Sequence, residues 1–529
     1  MKKTYINGKI FTSDPTRPYV SAFAAEDGRI TAVGSAEEVL TDAPGEIVDL
    51  EGRTVIPGLI DAHMHPIMLA DYAKQISALP PVCYSIKDIQ REIRKARAAQ
   101  GPDKWIFVWG CDEGKLAEKR YPDIHDLDEA CDDAPVYVLR VCGHVRSCNS
   151  AALKLAGIDR DTPDPQGGTI EHDENGDLTG ILTENAGELV GRLVPPQGIS
   201  ISAQNLKDLG DLLSSQGIVA VADMGEDDDP AWEIFHEAAK LGFAQDAALY
   251  LVWDFYVDRP DFALTPEQTD PNAKIRVAGL KLIGDGSVSG HTAWMDEPYL
   301  STGTCGIPVY SDELVESAIA YCKANHLQLA VHAMGGRAIA RIVDRAYREE
   351  DWMDGAAPYV RVEHVTEPRE DSMDKVIEKG MAFATQPVFF FSEIESYLMN
   401  LGQERTKTTY PIHRMLEKGL DVCLSTDAPA TSWAVPSDPF INMQAAVTRV
   451  AFDGTDCGKE QAIDVETAVR LYTDAAARAT GFRGLGRIAP GYRESFAVLS
   501  EDLFTVPAER IGEVHPLLTV HDDKEIYKA

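Results

Sequence analysis

The chain has too little positive charge for a nucleic-acid-binding protein. Its 529 residues include 50 Lys and Arg against 85 Asp and Glu, which gives a formal net charge of −35 at pH 7. A protein that binds a polyanion replaces the counterions of that polyanion with clustered Lys and Arg side chains. We therefore expect no nucleic-acid partner, and we interpret the acidic balance as a contribution to solubility.

Long apolar runs and paired cysteines are also missing. No run reaches the roughly eighteen apolar residues of a membrane span, and residues 1–9 lack the apolar centre of a signal peptide. The nine cysteines include no Cys-x-x-Cys pair, and their odd number cannot close into a complete disulfide set. We predict a cytoplasmic protein with reduced thiols and no membrane partner.

Eight segments rich in β-branched residues alternate with amphipathic stretches along the middle of the chain. The segments are residues 55–65, 218–222, 248–252, 279–282, 329–332, 360–364, 381–385 and 424–427. Between them lie stretches such as residues 312–325, with apolar residues three and four apart, which is typical of helices. This alternation predicts an α/β fold, a (β/α)8 TIM barrel over residues 56–479.

The two ends of the chain have a different texture. They contain short alternating runs separated by turn residues, including Asp27-Gly28, a strong hairpin signal. We predict a small β-sandwich domain built from residues 1–55 and 480–529. The interval between the first two barrel strands is far longer than a crossover needs, so residues 70–210 are predicted to form an inserted subdomain that covers the active site.

Five of the eight segments end on a residue type that can bind a metal ion. In the first, His63 and His65 lie two residues apart on an extended strand, so their imidazoles point to the same face. The other four segments end on Lys281, His332, His364 and Asp427. The carboxyl ends of parallel barrel strands cluster at one pole, and the sequence therefore predicts a shared metal site there.

The types of these residues indicate which chemistry to expect. Histidine nitrogen and carboxylate oxygen suit zinc or a similar divalent ion. A neutral lysine amine is scarce at pH 7, so Lys281 is either an ordinary cation beside one ion or a carbamylated lysine that bridges two. Asp427 is expected to take a proton from the attacking water and pass it to the leaving group, in hydrolysis of a C–N or C–O bond.

Several motifs resemble the amidohydrolase superfamily, in particular its branch of YtcJ-like metal-dependent hydrolases (amidohydrolase family 3), which includes N-substituted formamide deformylase. The resemblance rests on residues 57–65, 143–153, 167–186 and 281–287. It implies a metal site formed by His63, His65, Lys281, His332, His364 and Asp427. It also implies that His144 and Glu184 lie near the substrate.

One position departs from the pattern of that family. The family often has Arg before Thr-Ala, whereas this chain has His291 before Thr292 and Ala293. A fixed cation is thus replaced by a titratable group. We include His291 with His144 and Glu184 among the predicted substrate-binding residues.

These observations predict a metal-dependent hydrolase that cleaves an amide-like C–N bond of a small organic molecule by metal-activated hydroxide. The alternatives are hydrolysis of an ester, lactone or cyclic amide, a deaminase, and, from another class, a non-catalytic small-molecule-binding protein on the same fold. The expected cofactor is one or two divalent ions, with zinc favoured. The expected partners are a small-molecule substrate and further copies of the chain in a homo-oligomer.

Overall fold

The computed structural model describes the chain except at twenty positions and one side chain. The positions outside the description are residues 1, 41–44, 81, 102–103, 142, 144, 166–167, 196–197, 226–229, 356 and 434, and the side chain is that of Glu184. Among the described residues, no helix combines the length and the apolar character that a bilayer crossing requires.

Eight parallel strands form the central sheet. Barrel strands 1 to 8, in their order around the sheet, are Leu59–Met64, Ile218–Asp223, Asp246–Val252, Ile275–Ile283, Gln328–Ala333, Val360–His364, Ala382–Thr385 and Asp421–Leu424. Just beyond strand 8, the Asp427 amide donates to His63 O at 2.8 Å and the His65 amide donates to Ala428 O at 2.8 Å. These bonds join the last strand to the first, and the predicted barrel is confirmed.

The strands are buried because both of their faces are covered. Ile218–Asp223 and Val360–His364 are buried at every position, as expected for parallel strands with side chains packed inside the barrel and helices outside. The helices that separate or follow these strands are Pro66–Tyr72, Ile199–Ser215, Ala231–Leu241, Asp312–Asn325, Gly336–Ala346, Glu370–Lys379, Val388–Ser392, Ile394–Leu401, Gln403–Thr406, Ile412–Lys418, Pro439–Thr448, Val465–Leu471 and Asp474–Thr480.

The third repeat departs from the regular alternation that the sequence suggested. Residues 253–274 are all described, and they contain only the 3-10 helix Trp253–Phe255 between strands 3 and 4. Three prolines, Pro260, Pro266 and Pro271, fall in this segment. Proline lacks the amide hydrogen of a helix interior and collides with the preceding turn, so a regular helix cannot form there.

The two ends of the chain build two further sheets. The first contains Arg29–Gly34, Ala22–Glu26, Lys2–Ile6 and Glu46–Asp49, and the second contains Lys524–Lys528, Pro516–His521, Ser495–Leu499, Thr54–Pro57, Lys9–Phe11 and Tyr19–Val20. Phe496 from the second sheet packs on Tyr5 and Phe23 from the first. The predicted β-sandwich built from both termini is thus confirmed.

The predicted hairpin at Asp27-Gly28 is also confirmed. The strands Ala22–Glu26 and Arg29–Gly34 pair in antiparallel fashion around these two residues. Asp27 and Gly28 have φ values of 51° and 75°. Two positive φ values belong to the turn whose twist matches that of a hairpin, and Gly meets this requirement without steric strain.

The chain divides into two compact units. One consists of residues 1–67, 206–428 and 437–529, and the other of residues 68–205 and 429–436. The second unit has a six-stranded sheet of Gly168–His172, Leu178–Glu184, Val145–Cys148, Val136–Arg140, Ile106–Cys111 and Ile76–Ser77, with helices Ile86–Ala99, Ile124–Ala130, Ser150–Ala156 and Asn185–Gly191. The domain boundaries expected from the sequence, and the covering of the active site by residues 70–210, stay predictions.

Candidate metal centre

The six predicted ligands lie at or just beyond the carboxyl ends of five barrel strands. His63 belongs to strand 1 and His65 follows it, whereas Lys281 lies in strand 4, His332 in strand 5, His364 at the end of strand 6 and Asp427 after strand 8. Cα pairing aligns Ile283 with His332 and Ala333 with His364. The register of the sheet therefore brings the strand ends to one level, as expected at the carboxyl end of a barrel.

Asp427 lies between two imidazoles. One of its carboxylate oxygens, Oδ1, is 3.1 Å from His63 Nε2 and 3.1 Å from His65 Nε2. Ligand atoms of these three residues all lie within 4.8 Å of one another. Bonds of about 2.0–2.2 Å to a divalent ion leave adjacent ligand atoms roughly 3 Å apart, so the three side chains fit such an ion.

The other three predicted ligands adjoin this core. The ring centroid of His364 is 4.8 Å from that of His63 and 4.4 Å from that of His332. Lys281 Nζ is 3.4 Å from His63 Nε2. The structure thus brings all six side chains into one cluster, in which His63, His65 and Asp427 have the tightest ligand geometry.

Electrostatics favour the protonation states in which these residues bind metals. Burial and the Lys281 charge lower the pKa of His332 to about 3, and burial together with His332 holds the pKa of His364 well below its usual value. Burial acts to raise the pKa of Asp427, but the attraction to His63 and the hydrogen bonds with His63 and His65 hold it well below the usual carboxyl range. Neutral imidazoles and an ionised carboxylate are the metal-binding forms.

A buried carboxylate that sequence reasoning missed lies behind His63. Glu363 Oε2 is 2.6 Å from His63 Nδ1, and Arg361 Nε donates to Glu363 Oε1 at 2.6 Å. Burial acts to raise the pKa of Glu363, but Arg361 and His63 lower it to about 2. The sequence did contain a signal, since Arg361 and Glu363 lie on one face of an otherwise apolar strand directly before a predicted ligand.

Two more histidines bind an acceptor through Nδ1. His65 Nδ1 is 2.9 Å from Gly225 O, and His364 Nδ1 is 2.9 Å from the side-chain oxygen of Gln386, whose Nε2 donates to Ser425. Such contacts fix the tautomer with hydrogen on Nδ1, so that Nε2 carries the lone pair that a metal ion needs. Together with Glu363, they orient the rings before any ion binds.

The backbone is strained at two of the predicted ligands. His364 has a φ of 74° and Asp427 a φ of 58°, and the β-branched Val365 has a φ of 54°. Such values are rare for residues other than glycine, and rarest for β-branched ones. Strain of this kind persists where the surroundings hold it in place, and it clusters at functional sites.

The structure describes one of the three predicted substrate-binding side chains. His291 lies in the loop after strand 4 with a φ of 59°, its ring meets that of Tyr299 at a centroid distance of 5.8 Å, and no described residue hydrogen-bonds its buried Nε2. His144 lies outside the described residues. Glu184 ends the strand Leu178–Glu184, and its side chain is not described.

A second group of ligand-type side chains has a different character. Asp246, His521 and Asp522 also come within 4.8 Å of one another. However, Arg493 donates to both carboxylates, and Lys274 pairs with Asp522. Because the two cations already neutralise the carboxylates, this group is an ion-pair network rather than a metal site.

Comparisons with known proteins found a matching family model and several similar proteins. The model of the amidohydrolase family matches residues 46–527. The chain is 28% identical over 545 residues to the protein YtcJ of Bacillus subtilis, with 100% of both covered, and 26% identical over 543 residues to N-substituted formamide deformylase of Arthrobacter pascens, with 98% of this chain and 96% of that protein covered. An uncharacterized metal-dependent hydrolase from Pyrococcus horikoshii has a similar crystal structure, with a TM-score of 0.75, 25% identity and coverage of 96% of this chain and 99% of that chain.

Proposed function

Because the chain belongs to the amidohydrolase family, and is therefore a hydrolase acting on carbon–nitrogen bonds, we propose that it hydrolyses an amide-like C–N bond of a small organic molecule with the help of a divalent metal ion. The observation that carries this proposal is the placement of His63 Nε2 and His65 Nε2, each 3.1 Å from the same oxygen of Asp427. The carboxyl end of a barrel is where such enzymes place their catalytic groups.

The residues of the cluster divide the work between binding and proton transfer. A bound divalent ion would lower the pKa of a water molecule and polarise the substrate carbonyl. His63, His65 and Asp427 would hold it, with His332, His364 and Lys281 beside them. The second oxygen of Asp427, Oδ2, is 3.8 Å from His364 Nδ1, so it is less engaged than Oδ1. We assign to Oδ2 the proton that leaves the attacking water and then reaches the leaving nitrogen.

The chemical form of Lys281 determines whether the site holds one metal ion or two. As an ammonium it would be a cation beside a single ion, whereas a carbamate on Nζ would add a carboxylate next to His63, whose Nε2 is 3.4 Å away. Metal stoichiometry and the intact mass of the native protein, each measured with and without added bicarbonate, distinguish the two forms. Two ions per chain together with a carbamate mass would establish the bridged centre, and one ion on an unmodified lysine would exclude it.

Two features support an amide with an apolar substituent as the substrate. The similarity to N-substituted formamide deformylase extends over 98% of this chain. In addition, the ring of Phe389 lies 5.9 Å from that of His364, which gives the cluster an aromatic neighbour. We propose that His291 and the two predicted residues His144 and Glu184 supply polar contacts to the substrate.

A reconstitution screen tests this function. The purified protein is treated with a chelator, reloaded with zinc, manganese or cobalt, and offered N-substituted formamides, other amides, lactones and esters. We expect metal-dependent release of an amine from the amides, and a turnover lower by on the order of 10² or more from protein carrying Asp427→Asn. Faster turnover of lactones or esters would favour the C–O alternative. Metal and ligand binding without any turnover would instead indicate a binding protein.

A further inference from the structure

A small cavity with cationic side chains in its lining lies at the opposite end of the barrel from the candidate metal centre. It has a volume of about 60 Å³ and is lined by residues that begin strands 4 and 5 and by residues that follow the helix Asp474–Thr480. Arg276, Arg483 and His326 are among the lining residues, and none of the described residues that line it is acidic. The cavity is therefore surrounded by positive or neutral groups in a chain whose net charge is strongly negative.

Arg276 is a buried cation that has no ion-pair partner among the described residues. Its residue surface is 5% exposed, its Nη2 donates to Thr480 O at 2.8 Å, and its guanidinium lies over the ring of Phe482 at 4.8 Å. Within the part of the chain that the structure describes, no carboxylate forms an ion pair with it. A buried charge is normally paired, because moving it out of water is unfavourable.

The neighbouring groups do not supply the missing charge. Burial lowers the pKa of Arg276, and the charge of Arg483 lowers it further, although Asp246 acts in the opposite direction. Asp246 is itself engaged by Arg493 and His521. The carboxyl end of the helix Asp474–Thr480 offers Arg276 only a partial negative charge, equivalent to roughly half an electron.

We propose that this cavity binds a small oxyanion of the size of phosphate or a short carboxylate, with Arg276 and Arg483 as its charged ligands. A volume of about 60 Å³ is several times the roughly 10–15 Å³ that admits one water molecule, so the cavity can admit a group of several atoms. Planar guanidinium groups bind oxyanions through paired hydrogen bonds. Since the site lies at the end of the barrel where loops serve stability rather than catalysis, the anion would stabilise the fold without entering the reaction.

Thermal unfolding in inorganic phosphate tests the site. With pH and ionic strength held constant by chloride, the melting temperature of the unsubstituted protein should rise with phosphate and then saturate. Arg483→Gln, at an exposed position, should raise the half-saturating phosphate concentration at least tenfold and leave turnover and metal content unchanged. Arg17→Gln, which removes an exposed arginine paired with Glu38, should respond to phosphate as the unsubstituted protein does.

A variant of the buried Arg276 gives a second test of the proposal. Arg276→Gln should abolish the response to phosphate, and in phosphate-free buffer it should be at least as stable as the unsubstituted protein, because an unpaired buried charge has been removed. Crystals grown in phosphate should contain the ion between the two arginines. Equal responses of the unsubstituted protein and Arg483→Gln, or a cavity holding only water in those crystals, would overturn the proposal.

Discussion

At the scale of single residues, the candidate metal centre depends on partners that fix the direction of each imidazole. Three histidines each bind an acceptor through Nδ1. The pairs are His63 with Glu363, His65 with Gly225 O and His364 with Gln386. The contact between His63 and Glu363 is the most strongly charged, because Arg361 holds the carboxylate in place from the other side. Such outer contacts tune metal affinity without touching the ion.

Asp427 is predicted to be the proton shuttle as well as a ligand. Asp427→Asn keeps an oxygen that can bind the ion but removes the basicity, so turnover should fall on the order of 10² or more while metal content and fold persist. Steady-state kinetics, metal analysis and circular dichroism measure these three quantities. Asp464→Asn is a matched control, because Asp464 only caps the helix Val465–Leu471 and Asn caps equally well. Near-normal turnover of Asp427→Asn with its metal retained would transfer the role to another group, with His144 the first candidate.

Glu363 is predicted to raise the affinity for metal. Glu363→Gln keeps an acceptor for His63 Nδ1 but removes the charge, so metal affinity should fall by about 10–100-fold. Competition with a chromogenic chelator gives the affinity, after circular dichroism has established that the variant is folded. Glu367→Gln removes a carboxylate from a different pair, the one with Arg405, and should bind metal normally. If both variants bind metal as tightly as the unsubstituted protein, Glu363 has no positioning role.

At the scale of elements, the barrel strands support the metal centre through close packing between neighbours. Tyr250 of strand 3 donates a hydrogen bond to Gln328 of strand 5 at 2.6 Å, and its ring passes Gly279 of strand 4. The Arg361 guanidinium lies over that ring at 5.1 Å. Because Gly279 has no side chain, the Tyr250 ring fits beside it. The Arg361 guanidinium packs on that ring and forms an ion pair with Glu363.

A methyl group at Gly279 should disturb this packing. The added Cβ would lie 2.4 Å from Gln328 O and 2.6 Å from the Tyr250 ring, so Gly279→Ala should reduce the free energy of unfolding by about 1–3 kcal/mol. Urea denaturation measures the change as a lower midpoint with an unaltered slope. At Gly101 an added Cβ meets no atom of the described residues within 4 Å, and Gly101→Ala should stay within about 0.5 kcal/mol. Equal stability of the two variants would contradict this account of the strands.

At the scale of the whole molecule, the two chain ends are joined to each other and to the barrel. The strand Thr54–Pro57 pairs with the C-terminal strand Ser495–Leu499 and is followed after one residue by barrel strand 1. Arg493, just before that C-terminal strand, donates to Asp246 at the start of barrel strand 3 and to Asp522 after another C-terminal strand. One guanidinium therefore connects the sandwich to the barrel.

Loss of this guanidinium should destabilise the protein. Arg493→Ala leaves Asp246, which is 3% exposed, without its main counter-charge, so the free energy of unfolding at pH 7 should fall by about 3–5 kcal/mol. Arg17→Ala breaks a pair in which both side chains are about half exposed and should change stability by no more than about 1 kcal/mol. Urea denaturation of both variants gives the two changes in the free energy of unfolding. Similar losses in the two variants would show that Arg493 contributes no more to stability than an exposed ion pair does.

The same network predicts a pH dependence. Burial acts to raise the pKa of Asp246 and of Asp522, but Arg493 and His521 hold both below the ordinary value of 3.8. Because the folded-state pKa is lowered, the stabilisation is present above pH 3.8 and is lost as the pH falls through the folded-state values. Urea denaturation between pH 7 and strong acid gives the free energy of unfolding of the unsubstituted protein and of Arg493→Ala. The difference between the two free energies should shrink as the pH falls below 3.8. A difference that does not change with pH would exclude this origin.

The sequence by itself determined the architecture and the identity of the clustered residues. Strand periodicity and the ends of the apolar runs are local properties, and a closed parallel barrel brings every strand end to one pole, so His63, His65 and Asp427 could be grouped without coordinates. The turn at Asp27-Gly28 could be predicted for the same reason, since its conformation depends on two adjacent residues. The absence of a regular helix after strand 3 also has a local cause, the three prolines of that segment. The regular alternation of strands and helices elsewhere had predicted a helix there.

Only the tertiary structure decided which side chains support the site and which charges go without a partner. Glu363 and His63 are 300 residues apart in the chain, and Asp427 and His65 are 362 apart. The membership of residues 429–436 in the unit that contains residues 68–205 likewise has no local signal. Residue pattern fixes the face on which a side chain lies, but hydrogen bonds and ion pairs depend on ångström distances between strands, which are set only when all eight strands pack together.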